Sequence, residues 1–429
     1  MTGILSGEAE FLKIEKKTFK LHLSSQFFNG ISFGILLLED VILKKSLEAS
    51  DLEVTILIFL TSSSFLFSIY GLEIIDRSNN QSKLILLIGI LSKSFLLIIP
   101  FIEVPSYFIF CIASMSFSDS LGRPYWNVVY RHNYSEANRN RYYSFATSLY
   151  TLALLGVTVL FGKLLDIDYR YYKIFFPIAG ICDIIAYAEL AKMVELRKHV
   201  YAGFKGKIRT KFNPKLVRDI LVLPIRSTLK IFNDNREFFW FEMAFFIYGS
   251  SLMILSPVIP IYLVQTLHLD YAPISIARGF LFYSAIIMLT PLMGKFEKRL
   301  KPAKFCGYLF LGLLLFPAGM IVVKYLVPSQ AIIVLYITFF LYGCCMSGVN
   351  IAYALSSIFY SPPLQVANYQ AVHITLTGVR GLFSPFIGYF LLKFLSLNSV
   401  FISSGVLFIA SGLLMLNYVN SQRNIKKEN

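Results

Sequence analysis

The stretch RKHVYAGFKGKIRTKFNPKLVRDILVLPIRSTLKIFNDNR, from Arg197 to Arg236, decides how the chain is read, because no other long interval lacks an apolar run of membrane length. A helix needs about 20 apolar residues to cross a bilayer, and roughly six such runs lie on each side of this connector. Its basic residues are Arg197, Lys198, Lys205, Lys207, Arg209, Lys211, Lys215, Arg218, Arg226, Lys230 and Arg236. A basic block beside membrane spans belongs on the cytoplasmic side. From Pro214 to Phe232, Leu216, Val217, Ile220, Leu221, Leu223, Leu229 and Phe232 recur at helical spacing. Beside Lys215, Arg218, Arg226 and Lys230 they predict amphipathic helices lying at the lipid surface. The surplus charge follows membrane sidedness, so lipids and no nucleic acid are the expected partners.

Composition agrees. The chain is 56% hydrophobic and 15% charged, whereas a soluble domain carries about 25% charged residues. The reading is an all-α membrane protein with twelve transmembrane helices in two six-helix bundles. The net charge of +15 is confined to alternate loops and the connector, so it reports topology first. Cys111, Cys182, Cys306, Cys344 and Cys345 all lie in apolar segments, with no CxxC and no histidine at ligand spacing. No metal and no cofactor are expected. Glu8, Glu10, Glu15 and four lysines precede the first span, so no cleavable signal peptide is expected and the first helix serves as anchor.

The expected spans are 21–43, 52–75, 84–102, 106–129, 142–165 and 172–194. After the connector they are 238–264, 274–293, 305–325, 331–356, 366–394 and 400–418. Residues 1–195 would form the first bundle, 196–236 the connector and 237–429 the second bundle. With the N-terminus inside, inner segments hold about 28 Lys and Arg and outer ones about six, which places both termini in the cytoplasm. Phe-, Ile-, Lys- and Asn-rich usage with short loops points to a bacterial inner membrane, and a monomer is expected.

An even split predicts internal duplication, and two pairs of landmarks fit it. After the second span comes Gly71-Leu-Glu-Ile-Ile-Asp76-Arg77, and after the eighth Gly294-Lys-Phe-Glu297-Lys298-Arg299. The fifth and eleventh spans both end on a glycine followed by paired leucines, at Gly162 and Gly388. On this architecture and these motifs the chain resembles the major facilitator superfamily of secondary transporters over essentially its whole length. Asp76, Arg77 and Lys83 match that family's turn between helices 2 and 3, while Asn79 and Asn80 replace its expected glycine and base. The resemblance implies that Asp76, Arg77, Arg139, Arg141, Glu297, Lys298 and Arg299 act in gating, as latches at the cytoplasmic ends of the bundles. Each exposed contact of that kind is worth only about 0.3–1 kcal/mol, so it breaks and remakes readily. Ordinary positive-inside loop charge is the competing reading. Helix 5 lacks the proline of the exporters' signature. Helix 11 carries Gly378, Gly381 and Pro385, small residues with a helix breaker, read either as a moving part or as static close packing.

Ionisable groups at membrane depth cost roughly 2.5–3.5 kcal/mol on insertion scales, so each needs a partner, water or a function. Asp119 and Arg123 are four apart and share a helical face, so they can pair with each other. The resemblance implies a central cavity lined by helices 1, 4, 7 and 10. It would receive Gln26, Asn29, Asp119, Arg123, Trp126, Glu242, Tyr248, Asn350 and Tyr353, with Arg380 from helix 11, as solute-binding candidates. Asp119, Glu242 and His373 are candidates for proton coupling. Lys93, Asp183 and Arg278 are assigned to structural pairs, because the family geometry sets helices 3 and 6 at the periphery. No nucleotide-hydrolysing motif is present. The expectation is therefore secondary transport of a small anionic or polar solute by alternating access, coupled to protons, and no enzymatic activity. The alternatives are an integral-membrane enzyme acting on lipids through Asp119, Arg123 and His373, and a nontransporting sensor on the carrier fold.

Overall fold

Backbone amides in a hydrocarbon core find no water, so only internally bonded structures persist there, and a chain of this hydropathy must be helical. The computed structural model describes residues 2–197, 228–300, 302–362 and 365–428, which are helical with no strand among them. The amphipathic helices expected in the connector fall largely on 198–227, outside the described residues.

The helices are α1 (Thr2–Leu36), α2 (Glu39–Lys45), α3 (Asp51–Ser63), α4 (Ser68–Arg77), α5 (Gln81–Ile98), α6 (Pro105–Asn133), α7 (Glu136–Ile167) and α8 (Tyr172–Glu195). After the connector come α9 (Arg236–Leu255), α10 (Val258–Ile261), α11 (Tyr271–Ser275), α12 (Phe282–Arg299), α13 (Pro302–Gly312), α14 (Leu315–Val323), α15 (Pro328–Tyr360), α16 (Val366–Gly381), α17 (Ser384–Phe394) and α18 (Leu397–Glu428). Among the described residues, 10 helical segments are long and apolar enough to cross a membrane.

The two expected spans outside that set have local causes. The second is cut into α3 and α4 by a 3-10 turn at Ser64–Phe67, where Thr61, Ser63 and Ser64 hydroxyls bond carbonyls three or four residues back. Such back-bonding competes with the regular ladder. The fourth is α6, whose serines, Asp119 and Arg123 dilute its hydropathy. Other breaks sit just ahead of prolines, which lack the N–H and crowd the preceding turn. They lie between α9 and α10 next to Pro257, between α13 and α14 ahead of Pro317, and between α16 and α17 ahead of Pro385.

The contacts define two compact units. In the first, α1 lies along α7 and α8, α5 lies against α6 and α8, and α4 lies against α6. Ile75, Ile85, Tyr125, Val129, Tyr187 and Leu190 belong to its buried core. In the second, α9 and α13 pack on α18, α12 and α14 pack on α15, and α3 packs on α16 and α17. The segment Asp40–Leu66, which precedes the connector in sequence, thus belongs by its contacts to the second unit.

Helix approach in the first unit is close enough that a Cβ on Gly71 of α4 would lie 2.0 Å from the Leu121 carbonyl oxygen of α6. Overpacking of this kind typically costs about 1–3 kcal/mol. Gly71→Leu should therefore lower the thermal unfolding midpoint of the detergent-solubilised protein by several degrees, as followed by size-exclusion chromatography after heating.

Candidate functional site

The first unit gathers four ions from three helices. Lys93 stands on α5, Asp119 and Arg123 on α6, and Asp183 on α8; Lys93, Asp119 and Asp183 are all buried. The Lys93 ammonium donates to Asp119 Oδ1 at 2.7 Å and lies 3.0 Å from Asp183 Oδ2. Arg123 Nε donates to Asp119 Oδ2, the i,i+4 pair that the spacing on one helix allows. The Tyr187 hydroxyl adds a hydrogen bond to Asp119 Oδ1 at 2.8 Å. Tyr187 reaches that oxygen along a slot made by two glycines. A Cβ on Gly89 would sit 2.3 Å from the Tyr187 Cβ, and one on Gly122 would sit 2.7 Å from its hydroxyl.

Asp119 is thus met by three donors, whereas Asp183 pairs with Lys93. A cavity of about 230 Å³ opens beside the four ions. Asn29, Ser32 and Phe33 of α1, Trp126 of α6 and Tyr150 of α7 complete much of its wall. The Arg123 side chain is 45% exposed and forms part of this lining, while its acid partner is only 6% exposed. The arrangement therefore offers a guanidinium edge and flat aromatic surfaces to a small molecule, and Arg123 with the three buried ions beneath it sums to zero charge.

The second unit holds a different set. Glu242 on α9 and His373 on α16 are both buried, with His373 Nδ1 at 2.9 Å from each carboxylate oxygen. Nδ1 is the nitrogen that donates here, and Nε2 has no hydrogen-bond partner. The Tyr353 ring lies 4.4 Å from the imidazole. Arg380, two turns beyond His373, is also buried. It donates to the Phe245 carbonyl at 2.9 Å and to the Thr377 hydroxyl at 3.1 Å, and its Nε has no partner. Its guanidinium occupies the space a side chain at Gly249 would need, because a Cβ there would lie 1.7 Å from Nη1. Arg380 forms no ion pair among the described residues.

The remaining candidates are placed as follows. Gln26 donates to the Tyr130 hydroxyl at 3.2 Å, and Asn29 lines the cavity. Trp126 lies 6.2 Å from both Tyr130 and Tyr187. Tyr248 is stacked on Phe310 at 4.3 Å with its hydroxyl towards the Met346 sulfur, and Asn350 is exposed. Arg139 donates to the carbonyls of Arg131 and Tyr134 and so caps the end of α6, while Arg141 is exposed. Glu297, Lys298 and Arg299 form the last turn of α12. The side chains of Asp76 and Arg77 lie outside the described residues. Gly378 and Gly381 admit Leu66 and Ser62 of the α3 segment, and Pro385 opens α17.

The sequence assigns Lys93 and Asp183 to structural pairs without naming their partners, and does not connect them with Asp119 or with each other. Tyr187 and Tyr150 carried no signal beyond their type. The available clue was a lysine in an otherwise uncharged apolar run on α5, which at membrane depth demands an acid from another helix. Removing the cation from such a set costs about 3–5 kcal/mol, because the carboxylates are left uncompensated. Lys93→Met should accordingly cut the yield of folded protein and its unfolding midpoint, and the double variant Lys93→Met/Asp183→Asn should recover most of both.

Comparison with curated proteins finds no match for this chain. Among solved structures, a mutant of the peptide transporter POT in complex with alafosfalin superposes with a TM-score of 0.70 at 15% identity, covering 95% of each chain. A POT family transporter in complex with 5-aminolevulinic acid gives 0.67 at 14% identity over 93% of this chain and 95% of its own. A mutant of the nucleoside transporter NupG gives 0.61 at 12% identity, over 94% and 99% respectively. At these identities the likeness is one of fold. The model of the Major Facilitator Superfamily matches residues 23–379, and the chain belongs to that superfamily.

Proposed function

We propose that the protein is a secondary active transporter that moves a small anionic or polar solute by alternating access, coupled to protons. In this reading twelve spans form two bundles, at 1–195 and 237–429, with both termini on the cytoplasmic side of a bacterial inner membrane. The observation that carries the anionic preference is Arg380, a buried guanidinium with no acid partner among the described residues and an unpartnered Nε. A cation at membrane depth with no ion pair of its own is an expensive feature, and binding an anion is a reason to keep it. Solved neighbours include complexes with sulfate and with 5-aminolevulinic acid, small solutes that each carry an anionic group.

The Glu242–His373 pair supports proton coupling. The carboxylate and the imidazole touch directly inside the protein, so a proton can pass between them without a water relay. Asp119 is a weaker candidate, since three donors hold it as the anion. The same occupancy argues against acid–base chemistry on a lipid substrate. Alternating access is supported by the way the α2–α3 segment is held. Arg278 donates to both oxygens of Asp40 at 2.8 and 2.9 Å, Lys45 donates to Asp270 and to the Leu269 carbonyl, and α3 packs on α16 and α17. The contacts are polar at one end and small-residue at the other, so the segment can part and redock.

Proteoliposomes loaded with a pH-sensitive dye and offered sulfate, small carboxylates, dipeptides and nucleosides under an imposed pH gradient provide the direct test. Entry of at least one solute should move protons with it, Arg380→Gln should abolish uptake, and Glu242→Gln should leave exchange but remove the proton signal. A panel that moves neither solute nor proton, in protein shown to be folded, would sink the reading. For the clamp, Asp40→Asn should speed labelling of a Phe59→Cys probe on α3 by an impermeant maleimide several-fold; unchanged labelling would dismiss the clamp.

A further inference from the structure

The four ions of the first unit are unequally held, and that inequality decides where a proton goes. Asp119 receives Lys93, Tyr187 and Arg123. Asp183 faces Lys93 from α5 at 3.0 Å, with Asp119 and Arg123 of α6 and Tyr187 of its own helix as the neighbouring ionisable groups. The residues that α1 and α7 present to the cavity, Asn29, Ser32 and Tyr150, carry no charge. Ser32 is 1% exposed, and its hydroxyl, an uncharged group, stands beside Asp183. His22 of α1 is buried against Tyr134 and is not part of the cavity lining.

Neutralising Asp119 would forfeit three hydrogen bonds to a charged acceptor, each worth more than its neutral counterpart. Neutralising Asp183 forfeits a share of one ammonium, which Asp119 keeps. We infer that Asp183 is a proton-binding residue of the first unit's cavity, and that its protonation converts the cavity from neutral to a net positive site for an anionic solute.

The balance is explicit. With both carboxylates ionised, Lys93 and Arg123 cancel Asp119 and Asp183. One proton, taken from water in the cavity onto a carboxylate oxygen of Asp183, leaves a surplus of one positive charge. Lys93 then belongs to Asp119 alone, which lessens the demand of Asp119 on Arg123. The surplus is expressed at the half-exposed Arg123 side chain, on the cavity wall between the aromatic residues. The protonated Asp183 now has a hydrogen to donate, and the Ser32 oxygen beside it can accept. An anion entering restores neutrality, so proton and anion load together, and each favours the other by the same factor. This deepens the transport reading above and rests on it for the solute's role, but the proton site itself is independent of any transport measurement.

The chain has two tryptophans, of which Trp126 lines the cavity and Trp240 is 45% exposed. In a Trp240→Phe background, Trp126 fluorescence therefore reports the cavity alone. Iodide and caesium serve as anionic and cationic quenchers on the full chain in detergent. Lowering the pH should raise the iodide quenching constant about threefold and lower that of caesium, because one unit charge close to the fluorophore changes the local ion concentration by a factor of that order. Asp183→Asn should show the high iodide value at every pH. A step that survives in Asp183→Asn, or no step in the parent protein, would overturn the assignment. If Asp183→Asn does not fold, Asp183→Glu substitutes for it: a displaced midpoint supports the assignment, and an unchanged midpoint overturns it. Loss of solute uptake with the iodide step intact would count against the transport reading alone.

Discussion

An ammonium shared between two carboxylates at the depth of a membrane is the interaction on which the first unit depends. A lysine, an arginine and two aspartates are each prohibitive there alone, and become tolerable only as a set. The set needs three helices to meet at one point, so α5, α6 and α8 must approach closely. Gly89 and Gly122 supply that approach, and Tyr187 threads between them to complete the coordination of Asp119. The polar load then falls on α6, which is why this helix is less apolar than its neighbours.

The second unit solves the same problem by other means. His373 and Glu242 neutralise each other when the imidazole is charged, and share a hydrogen bond when it is not. Arg380 forms no ion pair among the described residues, and is held by a carbonyl, a hydroxyl and the open face of Gly249. Dipoles alone hold an ion less tightly than an opposite charge does. That difference is what sets Arg380 apart from the arginine of the first unit.

Most of the helices were legible because lipid forces a long apolar run into one conformation, and run length is written directly in the sequence. Helix breaks were less so. The gap ahead of Pro385 followed from the residue type, but the break at Ser64–Phe67 arises from three hydroxyls bonding backward, a signal that serine and threonine give only weakly. For the site, the Asp119–Arg123 pair was readable from a spacing of four on one helix. The link from Lys93 to Asp119 was not, because it depends on how α5 and α6 are rotated about their axes, and family geometry had set Lys93 and Asp183 aside. The grouping of Asp40–Leu66 with the second unit was hidden for a similar reason, since its partners Arg278 and Asp270 lie more than two hundred residues downstream.

The two units share one electrostatic property. Lys93, Arg123, Asp119 and Asp183 sum to zero, and so do Glu242 and Arg380 when His373 is neutral. A binding set that is neutral when empty gains a charge only by taking up an ion, and a lone ion in a low-dielectric surround is strongly disfavoured. An anion therefore enters such a set at least cost when a proton accompanies it, and leaves most easily when the proton leaves too. Coupling of the proposed kind then needs no dedicated relay between distant groups. It follows from electroneutrality in a medium that cannot screen, provided that one acid in each set is held loosely enough to accept the proton.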